Sequence, residues 1–199
     1  MSVNDLLFSS RCFCGQPRLD ICGECVQLLQ IGLGKKLPGI DFSWSAGKYQ
    51  DPLKSAIISY KSGDRSQTSI LAQVLSRVLT FAQLPKSTLI PLPSTAEKVR
   101  FRGFDTIGIL TKKVARKNRL DFAPVLRFTK QVSDQVGLDG AERNANLADA
   151  LTATRPVSAT VVLVDDVVTT GATVTCAAKA LRIAGAQKIF LISLCRTEN

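Results

Sequence analysis

The C-terminal part of the chain alternates between apolar runs and a helical pattern. Residues 161–164 are a continuous apolar run, and residues 189–194 are apolar except for Ser193, as is typical of buried strands. The alanine-rich segment 174–184 between them has helical character. Gly185 follows that segment, and glycine commonly ends a helix. A strand, a helix and a strand in so short a span predict a βαβ unit, and therefore a mainly parallel sheet and an α/β fold.

The middle of the chain carries two further helical patterns. Apolar residues recur at helical spacing through residues 66–81. Within residues 106–118, Ile107, Leu110 and Val114 fall on one helical face. Each segment therefore predicts a helix that packs one face on the core.

Shorter elements are predicted before and between these helices. Asp51 and Pro52 are typical of an N-cap followed by the first helical position, and they predict a helix that continues through Ile57 and Ile58. Residues 88–92 are a short β-rich run that ends among prolines, which predicts a strand.

Turn and loop signals divide the rest of the chain. Residues 26–34 predict a short helix that breaks at its glycines, and the turn signal at Pro38 sets a domain boundary near that residue. Residues 42–50 predict a strand or hairpin. The polar segment 129–139 predicts a mobile loop, and residues 140–151 regain helical character.

The bulk properties are those of a soluble protein with one sizeable core. The chain has 199 residues, of which 45% are hydrophobic and 21% are charged. No apolar run reaches the roughly 20 residues that a membrane-spanning helix needs. The N-terminus has no basic segment followed by a long apolar run, so we expect no signal peptide, no membrane insertion and a cytoplasmic location.

Positive charge is concentrated in one region. The chain has 26 lysines and arginines against 16 acids, a net charge of +10, and residues 86–130 carry many bases and few acids. Such a block binds phosphates of a small molecule or of nucleic acid, unless it is simply a solvated helix face. The candidates for nucleic-acid contact are Lys112, Lys113, Arg116 and Lys117.

The chain contains no histidine. This excludes histidine as a general acid or base, Ser-His triads and metal sites with histidine ligands. Any chemistry therefore depends on carboxylates, hydroxyls, backbone amides, lysine, arginine or cysteine.

Four of the six cysteines lie close together near the N-terminus, and they are Cys12, Cys14, Cys22 and Cys25. This density predicts a structural zinc site with four cysteine ligands, in a zinc-ribbon-like module of residues 1–38. The alternative is a pair of disulfides. The first pair is C-x-C, one residue shorter than the usual C-x-x-C. Cys176 and Cys195 lie in apolar surroundings and are interpreted as small core residues.

The stretch VVLVDDVVTTGAT places two carboxylates, Asp165 and Asp166, beside a loop of small and hydroxyl residues. The loop leads into a helix N-terminus, whose unpaired amides bind anions. The carboxylates would accept hydrogen bonds from sugar hydroxyls or hold Mg²⁺. A phosphate beside a diol describes a ribose 5-phosphate group. The alternative is an ordinary loop with aspartate caps and hydroxyl turns.

The same stretch resembles the 5-phosphoribosyl 1-diphosphate (PRPP) motif of type I phosphoribosyltransferases. The resemblance implies their doubly wound, mainly parallel fold over residues 39–199 and a catalytic role for Asp165 and Asp166, which would bind the ribose 2′- and 3′-hydroxyls. It also implies Mg²⁺ bound with PRPP. The 5-phosphate would bind to Thr169, Thr170, Gly171, Ala172 and Thr173.

The segment LIPLPS resembles the pyrophosphate loop of the same enzymes and indicates Leu92, Pro93 and Ser94. Arg100 and Arg102 follow shortly after, and the planar guanidinium suits phosphate oxygens. Lys98 is a weaker candidate. The alternative for these three bases is a surface helix.

The order of the motifs along residues 11–196 resembles the ComF family. It includes the cysteine module, the RGFD element, the Gln135, Arg143 and Asn146 run and the PRPP motif. The resemblance implies a link to natural transformation and single-stranded DNA, with DNA-uptake or replication-restart proteins as partners. We expect phosphoribosyl transfer to an acceptor that the sequence does not identify. A non-catalytic DNA-binding or partner-binding module and a PRPP-sensing regulator are the alternatives.

Overall fold

The computed structural model describes residues 11–17, 20–129 and 150–197. Their strands are β1 (Gly32–Leu33), β2 (Phe42–Ser45), β3 (Thr88–Pro91), β4 (Asp121–Phe122), β5 (Leu126–Phe128), β6 (Leu151–Ala153), β7 (Thr160–Val168) and β8 (Lys188–Arg196). Their helices are α1 (Gly23–Gln27), α2 (Leu53–Lys61), α3 (Thr68–Ala82), α4 (Ala96–Arg102), α5 (Thr106–Asn118) and α6 (Ala172–Ile183), with a 3₁₀ turn at Arg65–Gln67 before α3.

Six strands form one sheet in the order β1-β2-β8-β7-β3-β4. Every neighbouring pair is parallel except β1 and β2, which are antiparallel. Strands β5 and β6 form a separate antiparallel pair. The predicted α/β class with a mainly parallel sheet is therefore confirmed.

Helices cover both faces of the sheet. Val162 and Val164 of β7 belong to a core cluster with residues of α2, α3 and α5. Val161 and Leu163 belong to a second cluster with residues of α6. Successive side chains on a strand point to opposite faces, so β7 is buried on both sides, as its continuous apolar run requires.

The chain leaves the middle of the sheet in two directions. From β3 it passes through α4 and α5 to β4 on one side, and from β7 it passes through α6 to β8 on the other. Because β3 and β7 are neighbours, a crevice opens between the loops that follow them. Ligands of open α/β sheets bind in such a crevice.

Several predicted elements have nearly the predicted bounds. The helix at 106–118 is α5, and Ile107, Leu110 and Val114 are buried. The prediction for 66–81 corresponds to the 3₁₀ turn and α3. Helix α2 begins after Pro52, and the Asp51 carboxylate accepts a hydrogen bond from the Ser55 amide at 3.1 Å.

Other predictions are wrong. Strand β7 does not end at residue 164 but continues to Val168, because its pairing with β8 continues to Arg196. The helix predicted in residues 26–34 is instead α1, which starts at Gly23, and Gly32–Leu33 is a strand. Leu151, the last residue of the helical segment predicted for 140–151, begins strand β6.

Residues 130–149 lie outside the described part of the chain. They include nearly all of the predicted loop, most of the predicted helical segment, and Gln135, Arg143 and Asn146.

The segment before residue 38 packs onto the sheet. Strand β1 pairs with β2 at the sheet edge, and Cys12, Ile21 and Cys25 belong to the same core cluster as α3. The domain boundary at residue 38 stays a prediction. Across the described ranges, no helix combines the length and apolarity needed to cross a membrane.

Candidate functional site

Two loops that the sequence marks for phosphate binding meet at one edge of the sheet. Strand β3 ends at Pro91 and β7 ends at Val168, and the two strands run parallel and side by side. The amide of Leu92 donates to the carbonyl of Val164 at 2.9 Å, and the Leu92 side chain is buried. Since that amide is engaged, Leu92 has no backbone donor to offer a phosphate. Pro93 has no amide hydrogen, and Ser94 is half-buried.

Asp165 and Asp166 lie near the end of β7, within its pairing with β8. Because side chains alternate along a strand, Asp166 shares the face of Val164, toward α2 and α3, and Asp165 shares the opposite face, toward α6. Lys61, at the end of α2, donates to Asp166 Oδ1 at 2.8 Å. Asp165 Oδ1 accepts a hydrogen bond from the Asp166 amide at 2.8 Å. The two adjacent carboxylates therefore have different partners.

Burial raises the pKa of Asp165 to about 7, and the negative charge of Asp166 acts in the same direction. The Asp166 amide and the charges of Lys61 and Lys98 oppose this shift. Near neutral pH, Asp165 therefore exists in both protonation states, so it can either donate or accept a hydrogen bond. Without histidine, this carboxyl is a group that changes charge in the physiological range.

The loop after β7 leads into α6 through Gly171, the N-cap residue. Gly171 has φ +79°, and a Cβ added there would overlap the side chain of Leu37. As a glycine, it offers no side chain to cap α6. Thr169 and Thr170 are exposed, and the carbonyl of Thr169 accepts a hydrogen bond from Lys35 Nζ at 2.6 Å. The loop thus presents a helix N-terminus with small residues and a nearby ammonium, a combination that favours anions.

A cleft of about 840 Å³ connects this loop to α4. Thr173 lines it together with Lys98, Arg100 and Arg102, so the structure brings together residues of two motifs that lie about seventy positions apart. Thr95 caps α4 by accepting from the Lys98 amide at 3.3 Å, and Gly103 ends the helix with φ +78°. These short-range signals position the three bases beside the crevice.

The four bases predicted for nucleic-acid contact lie elsewhere. They are on α5, where Lys112, Arg116 and Lys117 are exposed and Lys113 donates to Ser69 Oγ at 2.8 Å. The described lining of the cleft includes none of them. The basic block of the sequence therefore divides into a cleft-lining part on α4 and an outer part on α5.

Sequence reasoning did not assign seven of the described residues of the cleft to the site, and they are Ile58, Lys61, Ser62, Thr95, Glu97, Phe101 and Phe128. Phe101 is 89% exposed and lies between Arg100 and Arg102 in the chain. An exposed phenylalanine between two arginines indicates a binding surface, because the side chain does not contribute to the core. Lys61 gives no comparable signal, since its partner Asp166 is 105 residues away.

The four N-terminal cysteines converge as a metal site would require. Their sulfurs all lie within 4.8 Å of one another, and Cys22 Sγ is 3.7 Å from Cys12 Sγ and 3.8 Å from Cys14 Sγ. Tetrahedral zinc with Zn–S bonds of about 2.3 Å implies S···S distances of about 3.8 Å. The amides of Cys22 and Cys25 donate to sulfurs of the cluster. The donor set and spacing fit zinc, and the shortened C-x-C pair does not prevent this.

The disulfide alternative is not supported, because each of the four cysteines is a thiol rather than half of a disulfide. Cys176 and Cys195 are buried in the two core clusters, as predicted.

No family model matches the chain. Among curated proteins, it is 32% identical to the DNA utilization protein YhgH of Escherichia coli O6:H1 and 31% identical to the protein of the same name in strain K12, with 92% of this chain and 82% of each relative covered. It is 28% identical to Competence protein F of Haemophilus influenzae, with 88% of this chain and 78% of the relative covered. These relatives match the chain over most of its length, as the order of its motifs predicted, and the chain belongs to the ComF family.

Proposed function

We propose that this protein has the type I phosphoribosyltransferase fold, binds PRPP with Mg²⁺ and transfers its phosphoribosyl group to an acceptor. The observation that carries the proposal is the cleft at the β3–β7 crevice. One side of it has Thr173 in the first turn of α6, and another has Lys98, Arg100 and Arg102. A phosphorylated sugar with a pyrophosphate group matches two anion sites in one cleft. The described lining of the cleft does not include Asp165 or Asp166, but Lys61, which lines it, donates to Asp166.

Each part of the ligand has a candidate partner. The 5-phosphate would bind at the loop of residues 169–173, and Asp165 and Asp166 would accept hydrogen bonds from the ribose hydroxyls. The pyrophosphate would bind to Arg100 and Arg102, with Ser94 as a further donor. Mg²⁺ suits the carboxylate oxygens, and when bound with PRPP it would neutralise charge on the pyrophosphate.

The proposed step needs little acid–base chemistry. The bond between C1′ and the pyrophosphate oxygen breaks, the bonding electrons leave with pyrophosphate, and an acceptor nucleophile forms the new bond to C1′. The arginines stabilise the charge that develops on the leaving group, and the carboxylates hold the sugar in position. A chain without histidine can do this.

The relatives named for DNA utilization and for competence suggest that the reaction, or the binding event, serves the use of incoming DNA. The cysteine cluster would hold a structural zinc ion, since all four tetrahedral positions would be filled by protein ligands.

A turnover assay tests the proposal. PRPP and Mg²⁺ are offered with a panel of bases, amines and single-stranded DNA, and the release of pyrophosphate is measured. Release that requires one class of acceptor supports the transferase. Tight PRPP binding without release under any condition contradicts transfer and indicates a sensing role.

An exposed aromatic residue at the cleft supports a second function, the binding of single-stranded DNA. Phe101 is 89% exposed between two arginines at the cleft, and a base can stack on such an aromatic face while the arginines bind the phosphates. Lys112, Arg116 and Lys117 on α5 could extend the path of a single strand. We infer a single-stranded-DNA surface from this arrangement.

Binding to oligonucleotides at several salt concentrations tests this surface. Affinity should fall steeply with salt, because phosphate contacts release counterions. Charge reversal at Lys112, Lys113, Arg116 and Lys117 should weaken DNA binding and leave PRPP affinity unchanged, and Phe101→Ala should weaken it with an unchanged salt slope. Binding that is absent or independent of salt rejects the surface.

A further inference from the structure

Lys61 pairs with Asp166 at a distance of 2.8 Å between Nζ and Oδ1. Only 27% of the lysine side chain and 13% of the aspartate side chain is exposed. Water and salt therefore screen this pair less than a surface pair. The two residues come from elements far apart in the sequence, so the packing of α2 on the sheet sets the contact.

Lys61 also faces the cleft, whose described lining has four bases and one acid, Glu97. Lys61 lines the cleft together with Lys98, Arg100 and Arg102. An anion in the cleft would therefore offer the Lys61 ammonium a second partner. In its observed position the ammonium neutralises one of two adjacent carboxylates.

A divalent metal ion and Lys61 cannot use Asp166 Oδ1 together without repulsion. Mg²⁺ approaches a carboxylate oxygen to about 2.1 Å, and an ammonium on the same oxygen would bring two positive charges into near contact. We infer that Lys61 is a tethered cation that competes with divalent metal ions for Asp166, so that a metal ion binds there only when an anion in the cleft draws Lys61 away.

The inference rests on the proposed function for its biological meaning, because PRPP is the anion that would release Asp166. It gives Lys61 a positioning role: metal and pyrophosphate would arrive together, and Lys61 would disfavour a metal ion on Asp166 when no pyrophosphate is bound. The competition itself, however, is a property of the protein and Mn²⁺ alone.

The test is Mn²⁺ binding to the whole chain, with the cysteine cluster saturated with zinc and without PRPP, followed by electron paramagnetic resonance of free Mn²⁺. Lys61→Met should bind Mn²⁺ at least about tenfold more tightly than wild type, which corresponds to about 1.4 kcal/mol. Lys61→Gln is the second neutral variant, used in case Lys61→Met does not fold, because glutamine can still donate a hydrogen bond to Asp166. Its Mn²⁺ affinity should rise as well. Lys61→Arg, which keeps the charge, should stay within about twofold of wild type.

Two controls separate competition from a change in net charge. Lys112→Met removes the same charge from exposed α5 and should leave Mn²⁺ affinity within about twofold. Adding Asp166→Asn to Lys61→Met should abolish the gain. Equal affinity of wild type and both neutral Lys61 variants, or an equal gain in Lys112→Met, overturns the inference. If the neutral Lys61 variants gain Mn²⁺ affinity but the protein does not bind PRPP, the proposed function is contradicted and the competition between Lys61 and the metal ion is still supported.

Discussion

Asp165 is the residue on which burial and charge act most visibly. Its carboxyl is half-buried on β7 beside Asp166, and burial raises its pKa to about 7. Since the folded pKa lies above the ordinary value of 3.8, folding favours the protonated form. The stability that this group contributes is therefore present at low pH and is lost as the pH rises from about 4 to about 7.

Asp165→Asn should remove the loss of stability between about pH 4 and about pH 7, because the asparagine side chain carries no charge. Its amide oxygen can still accept the hydrogen bond from the Asp166 amide. The difference in free energy of unfolding, variant minus wild type, should be larger at pH 8 than at pH 5 by about 1 kcal/mol or more. Urea unfolding at the two pH values measures it. Asp51→Asn is the control: the Ser55 hydroxyl lowers the pKa of Asp51, so its titration lies below pH 5.

Gly171 is the residue at which backbone and packing both exclude a side chain. Gly171→Ala would place a Cβ against Leu37 at φ +79° and should lower the free energy of unfolding by about 1–3 kcal/mol. Gly32→Ala, where a Cβ meets nothing within 4 Å, should cost less than about 0.5 kcal/mol. Equal effects of the two substitutions in urea unfolding would contradict the importance of the loop geometry.

At the scale of elements, the sequence pattern predicted the helices and strands whose bounds depend on nearby residues. Helix α5 follows from its apolar face and its Asp105 cap, both visible in the sequence. Strand β7 extends past the prediction because β8 continues to pair with it beyond the aspartates. Helix α1 starts where the Cys22 sulfur accepts from the Cys25 amide. A cap of that kind depends on the convergence of the cysteines, which helical periodicity does not reveal.

The cysteine cluster should behave as one unit. Cys22→Ser removes the sulfur that lies near both Cys12 and Cys14, so the purified variant should lose its one equivalent of zinc and unfold at a lower temperature than wild type. Cys176→Ser, a buried cysteine outside the cluster, should keep the zinc. The zinc content of both purified variants tests this prediction. Full zinc occupancy in Cys22→Ser would contradict a four-cysteine site.

Pyrophosphate binding should depend on the arginines of α4 and not on the bases of α5. Arg100→Ala with Arg102→Ala removes two charge-assisted donors from the cleft and should weaken pyrophosphate binding by about tenfold or more. Arg116→Ala with Lys117→Ala, which removes the same charge from α5, should leave pyrophosphate binding within about twofold. Calorimetry with pyrophosphate measures both, and equal losses would show that only net charge matters.

At the scale of the whole molecule, topology assembles the candidate site. The sequence predicted both candidate phosphate-binding segments and the carboxylates because each is a contiguous motif. It did not identify Lys61 as a partner of Asp166 or show that Leu92 has its amide engaged, since both depend on the alignment of β3, β7 and α2. The pairing of β3 with β7 brings distant motifs to one crevice.

The most direct measurement is titration calorimetry of PRPP with Mg²⁺ into wild type and into the Asp165→Asn, Asp166→Asn double variant. We predict that wild type binds with a dissociation constant below about 1 mM and that the double variant binds at least about tenfold more weakly. Circular dichroism of both proteins confirms that the variant is folded. No binding by wild type at millimolar PRPP, or equal binding by a folded double variant, would contradict a phosphoribosyl site at the β3–β7 crevice.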